Sequence, residues 1–179
     1  MAKSAAYTER PKPAAPIDTP IDLPADAVSA VTEALNRLIA DTFTLYVKTK
    51  NFHWHISGPH FRDYHLLLDD QARQIYATID DLAERVRKLG GVTVHSVGEI
   101  QRLKRLKDND EEYVAPLEML RELMADNKAM IASMREAHET VADCNDFATT
   151  SLIEVFIDGA EKRNWFLFEA SRHGDNPGY

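Results

Sequence analysis

Two long stretches of helical periodicity in this chain meet at one hard break, Ser57-Gly58-Pro59. Upstream, Val28, Val31, Leu35, Leu38, Ile39, Thr42 and Leu45 recur at helical spacing behind Pro24, which suits a first helical position. Downstream, Leu68, Ala72, Ile75, Ile79, Leu82, Val86 and Leu89 do the same until Gly90-Gly91. The spacing predicts helices over about 24–55 and about 61–89, folded back on each other as an antiparallel hairpin. His53 and His65 each lie six residues from Pro59, so the hairpin sets the two imidazoles at one level.

Asp69 follows His65 by four residues and projects from the same face one turn on. Asp80 and Glu84 form a second i, i+4 pair. With His65 at zero and ~100° per residue, Asp69, Asp80 and Glu84 fall near ~40°, ~60° and ~100°, while the apolar set occupies roughly 240–340°. The polar stripe is therefore separate from the core stripe. Two imidazoles and carboxylates in this register suit Fe(II). One helix cannot unite them, because fifteen residues of rise separate His65 from Asp80 by ~22 Å, against metal–ligand bonds of ~2 Å. Either these are two unrelated half-sites, or a second subunit closes each across a two-fold axis.

The rest of the chain extends the all-α reading. Ser96 to Glu99 has a capping-box pattern and predicts a short helix in a long link. A third long helix starts near Pro116, with Leu117, Leu120, Leu123, Met124, Ile131 and Met134. It turns over around Asp143 to Asp146 into a fourth, with Leu152, Val155, Phe156, Ala160, Trp165 and Phe168. Four amphipathic helices with a long second connection describe a ferritin-like bundle over 24–173. A Pro- and Ala-rich N-terminal tail, 1–23, precedes it and a short tail, 174–179, follows.

Composition narrows the function. Only seven glycines fit a helical chain, and a net charge of −8 suits gathering cations better than generic nucleic-acid binding. The tail sets Lys3, Arg10 and Lys12 against Glu9, Asp18 and Asp22, which gives DNA binding little support. Cys144 is the single cysteine, so neither an internal disulfide nor a Cys-based zinc site is possible. That fits a reducing cytoplasm. No segment reads as a signal peptide or reaches transmembrane length, and no membrane partner is expected.

The run KNFHWHISGPHFRDYHLLLDDQARQIYATIDDLAERVRKLGG, residues 50–91, resembles the signature of the Dps miniferritins. Its pattern is H-W, eleven residues between two ligand histidines, an Asp four on, then D-x-x-x-E-R. The similarity covers about residues 24–170. It implies iron ligands His53, His65 and Asp69 from one subunit, with Asp80 and Glu84 from its two-fold mate. It further implies a hollow dodecamer that oxidises Fe(II), preferably with hydrogen peroxide, stores ferric mineral and so protects DNA. Association with the nucleoid follows only where such a shell binds DNA. Larger ferritins use Glu-x-x-His motifs within one bundle, and that motif is absent from this chain.

The remaining candidates have two readings each. Trp54 either packs beside a ligand or, as the resemblance suggests, scavenges oxidising equivalents. Asp143, Asp146 and Glu154 either line an iron-entry pore or form a solvated helix start, where acids favour the dipole. His55, His60, His95, His138 and His173 are expected to be structural. The rival to a ferroxidase is a non-enzymatic oligomer that compacts DNA or acts as a scaffold; it has no use for a metal-register stripe.

Overall fold

The computed structural model describes residues 19–172. Its elements are α1 (Ala25–His55), α2 (Phe61–Lys88), a short α3 (Val97–Leu103), α4 (Pro116–Asp143) and α5 (Phe147–Ser171). Helices α1 and α2 form one antiparallel hairpin, α4 and α5 another, and the two pack as a four-helix bundle with α3 laid on α1. The fold is the expected all-α ferritin-like bundle. The expected tails lie largely outside the described residues. Where the chain enters view, the Thr19 hydroxyl donates to the Lys88 carbonyl (3.0 Å) and Leu23 packs on the core.

The helix ends follow local chemistry. Gly58 at φ 100° makes the turn between α1 and α2, in a region where a side chain would clash. Gly90 at φ 80° ends α2, with the Gly91 N–H bonded back to the Val86 carbonyl. Ser96 caps α3 by accepting from the Glu99 N–H (3.2 Å). The Glu99 carboxylate reaches past the cap to the His95 N–H (2.8 Å) and ring, so the box closes one residue early. The His95 backbone bond, first among its causes, holds the Glu99 carboxyl below the usual range.

Every member of the α2 apolar stripe, Leu68 through Leu89, is buried. Helix α5 keeps only part of its expected face, Phe156 and Ala160. Ile153, Phe156, Ala160, Arg163 and Leu167 are buried, whereas Val155, Trp165 and Phe168 are 67, 59 and 52% exposed. Apolar residues run nearly all round this helix, so spacing alone does not select the buried side.

Buried charges tie the helices together. Asp41 on α1 accepts from the Arg105 and Leu106 N–H groups (2.6 and 3.1 Å) and from Arg105 Nε (2.8 Å), anchoring the link after α3. Lys48 bridges Glu122 and Asp126 of α4, both at 2.8 Å. Its burial favours the neutral amine, but the hydrogen bonds to Asp126 and Glu122 outweigh this and raise its pKa. Arg85 of α2 pairs with Asp146 (2.6 Å), the N-cap of α5, and bonds Thr149 (2.7 Å). Substituting Asp146→Ala removes the cap and strands a largely buried guanidinium. The expected loss is about 3 kcal/mol in equilibrium denaturation of the assembled protein. A loss no larger than that of an exposed acid such as Asp81→Ala would show that the pair contributes nothing.

Candidate metal centre

The last turn of α1 and the first of α2 hold His53 and His65 in a reciprocal arrangement. His53 Nδ1 bonds the His65 carbonyl (2.8 Å), and His65 Nδ1 bonds the His53 carbonyl (2.9 Å). The rings stack with centroids 3.8 Å apart and planes 25° from parallel. A carbonyl oxygen only accepts, so each neutral ring must carry its proton on Nδ1. Both Nε2 atoms then present lone pairs, the state a metal requires, with ring orientation fixed by the same bonds. His53 is buried and His65 half-buried.

Asp69 lies beside them, its Oδ1 3.8 Å from His53 Nε2. Lys50 Nζ bonds that oxygen at 2.9 Å, and Arg73 bonds Oδ2. The Lys50 hydrogen bond is the largest cause holding the Asp69 carboxyl below the usual carboxylate range. The carboxylate thus stays ionised in mild acid and already draws two cations. Lys50 precedes His53 by one helical turn, so its place on this face was readable from spacing. It also lies 5.8 Å from the ring centroid of Trp54, which is 63% exposed.

Asp80 and Glu84 are exposed farther along α2, with Glu84 3.4 Å from Lys88 Nζ. The structure brings His53, His65 and Asp69 together and leaves Asp80 and Glu84 some ~16 Å or more along the helix. Among the described residues, no three His, Cys, Asp or Glu side chains of one chain are grouped to hold a metal ion. Two imidazole nitrogens and a carboxylate still fit a ferrous ion, as an open set that needs further oxygen donors.

The pore candidates separate. Asp146 is buried and committed to the α5 cap and Arg85. Asp143 is exposed at the end of α4. Glu154 is exposed and pairs with His138 Nε2 at 3.0 Å. Of the other histidines, His55 Nδ1 bonds the Asn51 carbonyl (2.8 Å), His60 leans on the Tyr64 ring, and His173 lies outside the described residues.

Lys50 holds the Asp69 oxygen nearest His53 Nε2 and so competes with a metal for it. Lys50→Gln should bind Zn(II) or Co(II) several-fold more tightly in calorimetry of the iron-free assembly. Unchanged or weaker binding would show that Lys50 does not compete.

A Ferritin-like domain model matches residues 32–172 of the chain. A DNA protection during starvation protein of Halobacterium salinarum is 33% identical over 129 residues, 72% of this chain and 71% of that protein. Among solved structures, DpsC from Streptomyces coelicolor superposes with TM-score 0.85 at 26% identity, covering 88% of this chain and 92% of that one. Dps from Thermosynechococcus elongatus gives TM-score 0.80 at 27% identity, covering 87% and 100%. With sequence and fold in agreement, the chain belongs to the Dps miniferritins, within the ferritin-like proteins.

Proposed function

We propose that this chain oxidises Fe(II) at sites shared between two subunits and stores the ferric product inside a hollow shell. The observation that carries the reading is the half-site: His53 and His65 lock each other with Nε2 outward, beside an ionised Asp69. Asp80 and Glu84 of a mate would supply the missing oxygens. The centre of His65 and Asp69, averaged with that of Asp80 and Glu84, puts the two-fold near Gln74, with Arg73, Tyr76 and Ala77 facing the mate. Each site would lie ~11 Å from the axis along the helix. Tyr76 and Val47 are each 58% exposed, and Tyr76 lies 5.2 Å from Tyr46 ring to ring, which leaves an uncovered apolar patch at that level.

Iron is the substrate. Two ferrous ions each give one electron to hydrogen peroxide, whose O–O bond breaks to yield two hydroxides. The ferric ions then hydrolyse to mineral and release protons. Peroxide as oxidant and the dodecamer come from the family resemblance. Consuming ferrous iron and peroxide together protects DNA without any DNA-binding surface, which suits an acidic chain. Direct DNA binding would rest on the N-terminal tail, whose residues 1–18 lie outside those described. A cytoplasmic setting is part of the proposal.

Complementation tests the shared site. His65→Ala and Asp80→Ala should each abolish fast iron oxidation as pure assemblies, followed by ferric absorbance after peroxide addition. Unfolded together and reassembled at equal amounts, half the dimers are mixed. One of the two sites in each mixed dimer is intact, so roughly a quarter of wild-type sites should return. No regained activity, in shells shown by mass to contain both chains, would rule the shared site out.

A further inference from the structure

On the flank of α2 away from the metal stripe, a cavity of about 100 Å³ opens between α2 and α5. Leu67, Asp70, Gln71 and Gln74 line it from α2, and Lys162, Arg163 and Phe166 from α5. On the helical wheel with His65 at zero, the α2 residues fall at roughly 140–240°, clear of the ligand stripe. The room suffices for several waters or one tetrahedral oxyanion.

Arg163 is only 5% exposed, yet among the described residues no carboxylate pairs with it. Its one hydrogen bond there runs from Nε to Asn127 Oδ1, and at 3.3 Å it is long. Asn127 Nδ2 is engaged with the Leu123 carbonyl, so Oδ1 is the only Asn127 side-chain atom that can serve the guanidinium. Burial alone pulls the Arg163 pKa down to about 10, which still leaves it charged at neutral pH. A buried cation without a counter-charge is costly, and an anion is what satisfies it.

The neighbours refine the ligand. Lys162 adds a second positive charge at the rim, 5.9 Å from the Phe166 ring centroid. Gln71 is buried, and its Nε2 donates to the Arg163 carbonyl (3.0 Å). That carbonyl only accepts, so the amide orientation is fixed and Oε1 remains a buried acceptor without a partner. The Asp70 carboxylate on the lining is exposed and already engaged, accepting from Gln74 Nε2 (2.7 Å) and lying 3.6 Å from Arg73 Nη2. A site with a guanidinium, an ammonium and one orphaned acceptor asks for an oxyanion that also carries a proton. Phosphate at neutral pH has both P–O⁻ and P–OH, whereas sulfate has no hydroxyl.

We propose that the α2–α5 cavity binds inorganic phosphate, with Arg163 and Lys162 holding its charged oxygens and Gln71 Oε1 accepting from its hydroxyl. The inference does not depend on the ferroxidase reading. A shell that takes up phosphate at this groove would carry it independently of iron.

The test uses the full-length, iron-free assembly, with phosphate, sulfate and chloride compared at matched pH and ionic strength. Calorimetry should show saturable phosphate binding to the wild-type protein. Phosphate at about ten times its Kd should raise Tm by roughly 3–6 °C over chloride, and sulfate by clearly less. Arg163→Met should lose the phosphate shift while remaining at least as stable as wild type in chloride, since an unpaired charge has been removed. Absence of saturable phosphate binding to wild type overturns the proposal whatever the variant does. An equal response to sulfate overturns the assignment to phosphate. An Arg163→Met assembly that falls apart or melts much lower in chloride also overturns it, because the guanidinium would then be satisfied by a neighbouring copy.

Discussion

The hairpin of α1 and α2 is closed by two imidazoles, each bonded to the other's backbone carbonyl across the turn. That exchange has structural and chemical consequences at once. It satisfies the His53 carbonyl in the last turn of α1, where a helix leaves acceptors without partners, and gives the His65 carbonyl near the start of α2 a second donor. It fixes the relative level of the two helices, and with it the register of the α1–α2 core. It also assigns the ring protons, so the outward nitrogens are those able to bind metal. Equal spacing of His53 and His65 about Pro59 makes the exchange possible; moving either histidine by one residue would turn its ring to another face.

The second constraint is the stiffness of a helix. Helix α2 carries both ligand pairs on one stripe, and its rise keeps them apart whatever the side chains do. A flexible loop would close on an ion; a helix buried along its whole apolar stripe cannot. The same rigidity that positions His65 and Asp69 beside His53 makes one chain insufficient. Under the proposed shared site, chemistry and assembly become one requirement, since the donors that one half-site lacks would stand on the other end of an identical helix.

How much of this was readable in the sequence varies with how local the cause is. Helix limits, the α2 core face, the Ser96 cap and the convergence of His53, His65 and Asp69 all follow from spacing along one or two adjacent helices. The partners of Asp41, Lys48, Gln71 and Arg163 do not, because each is set by a residue far along the chain. Arg105 lies 64 positions from Asp41 and the Arg163 carbonyl 92 from Gln71. On α5 the difficulty is different. Apolar residues surround the helix, so which of them is covered depends on its neighbours, and Val155, Trp165 and Phe168 stay outside in the single chain. Asp146 reads as an acid at a helix start, and it is one; its buried pairing with Arg85 could not be read from position.

The interior of the bundle explains why its own carboxylates are poor candidates for iron. Asp126 and Glu122 face α1, where a ferritin-like bundle has room for metal ligands on facing helices. Lys48, itself 4% exposed, already sits 2.8 Å from each. The ammonium already serves both carboxylates, and extracting it would strand buried charge. Burial raises the Asp126 pKa, so this carboxyl ionises less readily than an exposed one. Asp69 is the opposite case. Its cations are less deeply buried, Arg73 lying at the surface and Lys50 half-buried, and its pKa is depressed. The chain places its most deeply buried ammonium inside the bundle and more exposed positive charge at the hairpin, so a cation drawn to carboxylate oxygens meets less resistance at the hairpin.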